Sequence, residues 1–204
     1  MIIKIYNLKL DIDFSFFVLI GFLLYFNKEF FLASFFSYIV HEMGHVIALL
    51  YFGQNIKKIE LSAFSFKIIK SSNSAMKISE TLFTTISGPL FNLMAFLLLY
   101  IFYLNYINYN VFLKIFYKNN FFLFLLNVLP VKNLDGGQLF YCFLIQKTDV
   151  GVALKVLEIF SILFLIPITA IGLIILLKNK YNFSLLTLCI YLLFLLIFKK
   201  NTTL

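Results

Sequence analysis

Long apolar runs that end at lysines decide what this chain can fold into. They lie at about 14–26, 31–52, 80–103, 119–135, 152–177 and 181–198. A helix needs roughly 20 apolar residues to cross a bilayer, and all but the first of these runs come near or exceed that length. In lipid every backbone polar group must be satisfied within its own segment, so such runs must be helices. Composition agrees, because 62% of the 204 residues are apolar and the mean hydropathy is +0.98, against roughly 45–50% apolar residues in a soluble domain. The expected fold is an all-α polytopic membrane protein. It has about six transmembrane helices in a single domain over 1–204 and a short membrane-surface β hairpin between the second and third.

The net charge of +8 comes from 17 lysines and no arginine. Those lysines sit at the ends of apolar runs, which points to topology and anionic lipid headgroups and away from nucleic acid. With both termini cytoplasmic, twelve lysines lie inside and five outside (28, 114, 118, 178 and 180). The positive-inside bias therefore predicts that orientation, in what is expected to be a bacterial cell membrane, and the Lys, Asn, Ile and Phe bias fits an AT-rich genome. Lys4 and Lys9 precede the first run, but no small-residue cleavage site follows it, so a retained span is expected. Cys142 and Cys189 are far apart in apolar surroundings and read as packing residues.

The second run carries the chemistry. His41-Glu42-Met43-Gly44-His45 holds the only two histidines of the chain. Four residues apart on a helix, both imidazoles project from one face and can share one metal ion. Glu42 lies about 100° round the helix, where it can reach an attacking water without being a ligand. Two imidazoles and a carboxylate in so apolar a run are costly unless they pair or bind something. A polar network between helices is the other reading of these three residues.

Small and polar residues line the same helix at 34, 37, 41, 44, 45 and 48, and the third run at 81, 84, 88, 92 and 95. Such stripes let helices approach closely in lipid, so the two spans are expected to pack together. Gly88-Pro89 predicts a kink in the third. Residues 1–13 read as a lead into the first span, 27–29 as a tight outer turn or an interfacial step, and 71–74 as another turn. Two alternating segments at 59–68 read as short strands or a hairpin. Residues 111–118 read as interfacial. The fourth span ends in Asn127-Val128-Leu129-Pro130 and Leu134-Asp135-Gly136-Gly137, where proline and glycine predict irregular backbone, which at membrane depth must line protein or a cavity. An interfacial helix is expected at 137–149.

Zinc in a hydrolase takes three protein ligands and keeps one open position. With no third histidine, a carboxylate must complete the set. Glu60, Glu80 and Asp135 are the candidates, and Asp135 is the best of them. Spans two and four run in the same direction, and a Pro/Gly context can aim a carboxylate. Asn92 and Asn127 suit either helix packing or contact with a substrate.

Taken together, HExxH in the second span, Gly88-Pro89-Leu90-Phe91-Asn92 in the third, and Asn127-x-x-Pro130 with Leu134-Asp135-Gly136-Gly137 in the fourth resemble the site-2 protease family of intramembrane zinc metalloproteases. The six-span layout is similar to the stage IV sporulation protein FB type. The resemblance covers about 10–198. It implies one zinc ion per chain, ligands His41, His45 and Asp135, and Glu42 as catalytic base. The family's glycine-proline-asparagine motif falls on Gly88, Pro89 and Asn92. There is no room for a PDZ domain between spans and no CBS domain is expected after the sixth, which departs from many sporulation-type members.

The expected activity is hydrolysis, by metal-activated water, of a membrane-tethered or membrane-associated regulatory protein, such as a pro-transcription factor or pro-sigma factor. Asn92 or Asn127 would hydrogen-bond the substrate backbone or the oxyanion. The segment 56–69 would offer a strand edge to an unwound substrate. Membrane inhibitor proteins are further candidate partners, and nucleic acid is not. Peptidase action on surface or remnant peptides, or a non-catalytic metal-binding or transport role, are the alternatives.

Overall fold

The computed structural model describes residues 2–5, 8–15, 17, 21, 28–54, 56–62, 65–70, 76–105, 111–178 and 184–198. Most of the expected first span, the turn at 71–74 and the end of the chain lie outside these residues. Four described helices are long and apolar enough to cross a membrane: α1 (Lys28–Tyr51), α2 (Ile78–Asn105), α3 (Val111–Val128) and α5 (Val150–Lys178). The chain is an integral membrane protein. Two shorter helices, α4 (Asp135–Leu144) and α6 (Ser184–Phe198), are also described. The chain divides into two compact units, Met1–Phe124 and Leu125–Leu204.

In the first unit, α1 and α2 run antiparallel. The end of α1 meets the start of α2 through Phe52 and Phe83, whose ring centroids are 5.6 Å apart. The expected stripe on α1 does face the protein: Ser37, His41, Gly44 and Ala48 are buried. Phe36, Ile47 and Leu50 are exposed on its other faces, where lipid is an apolar solvent and burial in protein brings little extra gain. Helix α1 ends in a Schellman closure. Gln54 N–H donates to Leu49 O at 3.0 Å and Gly53 adopts φ +68°, a left-handed conformation that glycine takes without steric cost. Helix α2 begins with Glu80 reaching back to accept from Lys77 N–H at 3.2 Å, half of a capping box.

Helix α3 corrects the expected fourth span. It starts at Val111 and ends at Val128, whereas the sequence predicts a boundary near 119 and an interfacial piece at 111–118. The Asn119-Asn120 doublet explains the shift. Asn119 Nδ2 donates to Ser34 Oγ at 2.9 Å, and Asn120 Nδ2 donates to Ser37 Oγ at 3.0 Å and to Phe116 O at 2.8 Å. Polar residues that look like an end on paper are interhelical partners, so the helix runs through them.

The hairpin between the second and third spans is present as β3 (Ile56–Ser62) and β4 (Ser65–Lys70), and it belongs to a larger sheet. Residues 1–13, expected as a plain lead, form strands β1 (Ile2–Ile5) and β2 (Leu8–Ile12). The order is β1-β2-β3-β4, two antiparallel hairpins joined by a parallel β2–β3 pair with Asp11 opposite Glu60. Lys58 Nζ lies 2.8 Å from Asp11 and 2.7 Å from Glu60, so one ammonium tethers two carboxylates. The hydrogen bond from Lys58 holds the Asp11 carboxyl below its ordinary range. Hydrogen bonds to Asp11 and Glu60 push the Lys58 ammonium up.

In the second unit, Val131, Leu165, Leu192 and Leu196 form a buried cluster joining the 129–134 turn, α5 and α6. Phe140 on α4 packs on Phe160 of α5 with centroids 4.9 Å apart. As anticipated, the segment after α3 is irregular: residues 129–134 are not helical and Asn133 has φ 75°. The following helix begins at Asp135 and ends at Leu144, shorter than the expected 137–149.

Candidate metal centre

The regular register of α1 brings His41 and His45 onto one face, with Nε2 atoms 3.3 Å apart. Two nitrogens held ~2.0–2.1 Å from one tetrahedral zinc lie about 3.3 Å from each other. The pair therefore fits the ion without rearrangement. His45 Nδ1 is 2.8 Å from Thr84 O. A carbonyl only accepts, so Nδ1 carries the proton and Nε2 presents its lone pair toward His41. Sequence reasoning missed this partner, because a backbone carbonyl leaves no mark in residue identity. Its one signal was the placement of Thr84 on the polar stripe of α2.

Two glycines permit the approach of α1 and α2. A Cβ on Gly44 would lie 2.5 Å from Ser87 O and 3.0 Å from Gly88 Cα, so at that point the helices meet backbone to backbone. A Cβ on Gly88 would strike His45 Nε2 and stand 2.6 Å from His45 Cε1 and 3.0 Å from His41 Cε1. The Gly88 backbone is thus the wall against which both imidazoles rest. Pro89 is buried inside the continuous helix α2. Asn92 follows Gly88 by one helical turn and is fully buried, and its amide has no hydrogen-bond partner among the described residues. Such a group is costly unless something else pairs with it.

Glu42, next to His41, is half-buried. Of the carboxylates weighed as a third ligand, Glu60 is tied to Lys58 in the sheet and Glu80 caps α2. Asp135 opens α4 in the second unit. Its carboxylate stands in the first turn, where a helix N-terminus favours negative charge. The residue before it, Leu134, is extended and makes no side-chain cap. Gly136 and Gly137 are packing notches: a Cβ on Gly136 would strike the carbonyls of Val128 and Leu129, and one on Gly137 the carbonyl of Val131. Asn127 lies half-buried near the end of α3.

No protein-family model matches the chain, and no curated protein does. A solved structure does: the site-2 protease from Methanocaldococcus jannaschii aligns over 100% of this chain and 96% of its own, with a TM-score of 0.64 and 20% identity. The two proteins share a fold. At that identity the fold is what the likeness establishes. The activity must come from the residues just described.

Proposed function

We propose that this chain is an intramembrane zinc metalloendopeptidase of the site-2 type, which cleaves a membrane-tethered or membrane-associated regulatory protein. The observation that carries the reading is the Nε2 pair at 3.3 Å, backed by Thr84 O at 2.8 Å and accompanied in sequence by the HExxH carboxylate, Glu42. His41 and His45 are two ligands, and Asp135 is the third. Two imidazoles, one carboxylate and an open position suit zinc. A pro-transcription factor or pro-sigma factor is the substrate class that the sporulation-type layout suggests.

When bound, zinc supplies Lewis acidity that lowers the pKa of a water toward ~7 and polarises a peptide carbonyl. Glu42 takes the proton from the attacking water and passes it to the leaving amine. Asn92 Nδ2, buried without a partner among the described residues, donates to the substrate carbonyl as it becomes an oxyanion. Asn127 binds the substrate backbone. A transmembrane substrate must first unwind, because its scissile bond is hidden in its own hydrogen-bond ladder. Strand β4 pairs on one side with β3 in the described sheet, and its outer edge suits an unwound chain.

The test is cleavage of a panel of membrane-tethered pro-proteins co-expressed with wild type, Glu42→Gln or Asp135→Asn. Wild type is expected to cut a tethered substrate, and each variant to lose at least ~10³-fold in rate. Persistence of cleavage in Glu42→Gln would sink the proposal. Activity retained only in Asp135→Asn would keep the protease and remove Asp135 from the ligand set.

A further inference from the structure

The second unit contains an ion pair with no part in the chemistry above. Lys132, in the turn between α3 and α4, is 6% exposed. Its Nζ lies 2.8 Å from Glu158 Oε1. Glu158 is the only acidic residue in the 29-residue helix α5. A lysine near a membrane helix end ordinarily snorkels to water. This one turns inward and is anchored twice. Its backbone N–H donates to Ser161 Oγ at 2.8 Å, and that hydroxyl donates to Leu157 O at 2.7 Å. Glu158 and Ser161, three apart, grip one residue from one face of α5.

The grip reaches Asp135 through short, stiff links. Val131, adjacent to Lys132, is fully buried. Its N–H donates to Leu129 O at 2.7 Å and its carbonyl accepts from Leu134 N–H at 3.0 Å, so the turn is closed internally. The same carbonyl is the wall that a Cβ on Gly137 would strike, with Val131 C at 2.6 Å and Lys132 N at 3.0 Å. The start of α4 is therefore seated against the backbone that Glu158 and Ser161 hold. Movement of the turn must carry Asp135 with it.

We infer that Lys132, Glu158 and Ser161 form a latch that fixes the 129–134 turn to α5 and thereby positions the Asp135 carboxylate. They are positioning residues and touch neither metal nor substrate. The consequence for zinc rests on the proposed metalloprotease reading. The mechanical role does not.

The decisive variant is Lys132→Met with Glu158→Met, which replaces a mostly buried ion pair by apolar side chains and leaves no charge unpaired. Such replacements are often neutral or stabilising. This variant is expected to keep the wild-type unfolding temperature in detergent, to exchange the backbone amides of 131–137 at least ~10-fold faster, and to bind zinc ~10–100-fold more weakly in chelator competition. The charge-reversed pair Lys132→Glu with Glu158→Lys is expected to restore most of both. Ser161→Ala supplies a milder break, with faster exchange confined to the turn, and serves if the double variant does not fold. Wild-type exchange in both the double variant and Ser161→Ala overturns the latch, as does loosening spread evenly over α5 and α6. Faster exchange in the turn with unchanged zinc affinity overturns the positioning of Asp135. If wild type itself takes up no zinc, the metalloprotease reading has failed, and the exchange data alone decide the latch.

Discussion

Two regions carry the residues proposed as zinc ligands, and each is built on its own, opposite plan. The α1–α2 pair uses regular helix. His41 and His45 are aimed by register, and Gly88 and Gly44 remove the side chains that would keep the helices apart. The region around Asp135 uses irregular backbone, a left-handed Asn133, two glycine notches and an ion pair reaching in from α5. In lipid, the regular plan satisfies its backbone automatically, whereas the irregular one must find a partner for each freed group. Val131, Lys132 and Leu134 show those partners individually. The helical ligands can be held by packing, but the turn has to be held by specific bonds.

Substituting alanine at one glycine of each region tests that contrast. At Gly137 the new methyl would meet the Val131 carbonyl, which is backbone and closed within its own turn. Nothing there can yield cheaply, so Gly137→Ala is expected to destabilise the protein by at least ~2–3 kcal/mol, with loss of metal binding as a consequence. At Gly88 the methyl would meet imidazole atoms, chiefly of His45, and a side chain can swing away. Gly88→Ala is therefore expected to keep most of its stability, within about 1–2 kcal/mol, while zinc affinity falls steeply. Thermal unfolding in detergent beside chelator competition checks both. Equal losses of stability at the two sites would erase the distinction between a rigid and a yielding wall.

What was legible in the sequence follows the same divide. The His41–His45 face came from counting, because helical period fixes which side chains share a side. The β3–β4 hairpin was visible because its strands are neighbours with alternating pattern. Strands β1 and β2 were not, because β2 lies beside β3 with nearly 50 residues between paired positions, and local pattern carries no sign of so distant a partner. The boundary expected near 119 differs from the structure for a related reason. A polar doublet in an apolar run signals either an end or a partner, and only the position of Ser34 and Ser37 on α1 tells which. Asp135 was singled out by motif and elimination. The Lys132–Glu158 pair that steadies its turn was passed over, although a single glutamate in a long apolar helix was a usable signal.

The asparagine contacts give a smaller effect. Asn120→Leu removes the donor to Ser37 Oγ but leaves Ser37 donating to Ala33 O at 2.8 Å. Interhelical hydrogen bonds in membranes average only about 0.6 kcal/mol. The variant is expected to lose about 0.5–1.5 kcal/mol of stability and little activity. A loss comparable to that of Gly137→Ala, measured in the same unfolding assay, would mean that polar bonds carry the regular region too.

The smallest effect belongs to the sheet, where a charge bridge adds to the parallel ladder that pairs β2 with β3. Lys58 bridges Asp11 and Glu60 at the surface, and water screens such a bridge. Its pH dependence has a definite sign. Because Lys58 holds the Asp11 carboxyl below its ordinary range, the stabilisation is present above the unfolded value, ~3.9, and is lost as pH falls through the lower folded value. The Lys58 ammonium is pushed up, so its part is full below ~10.4 and fades as pH rises through the higher folded value. Between these limits the bridge should be constant. Asp11→Asn is therefore expected to speed amide exchange in 8–12 and 56–62 modestly at neutral pH. The difference from wild type should shrink under acid conditions that protonate Asp11 and again at the high pH that deprotonates Lys58. An equal difference between the two proteins well below the Asp11 range would show that the substitution disturbs strand pairing through shape. The parallel junction would then be held as the helices are, by fit, and charge would matter only around the turn that carries Asp135.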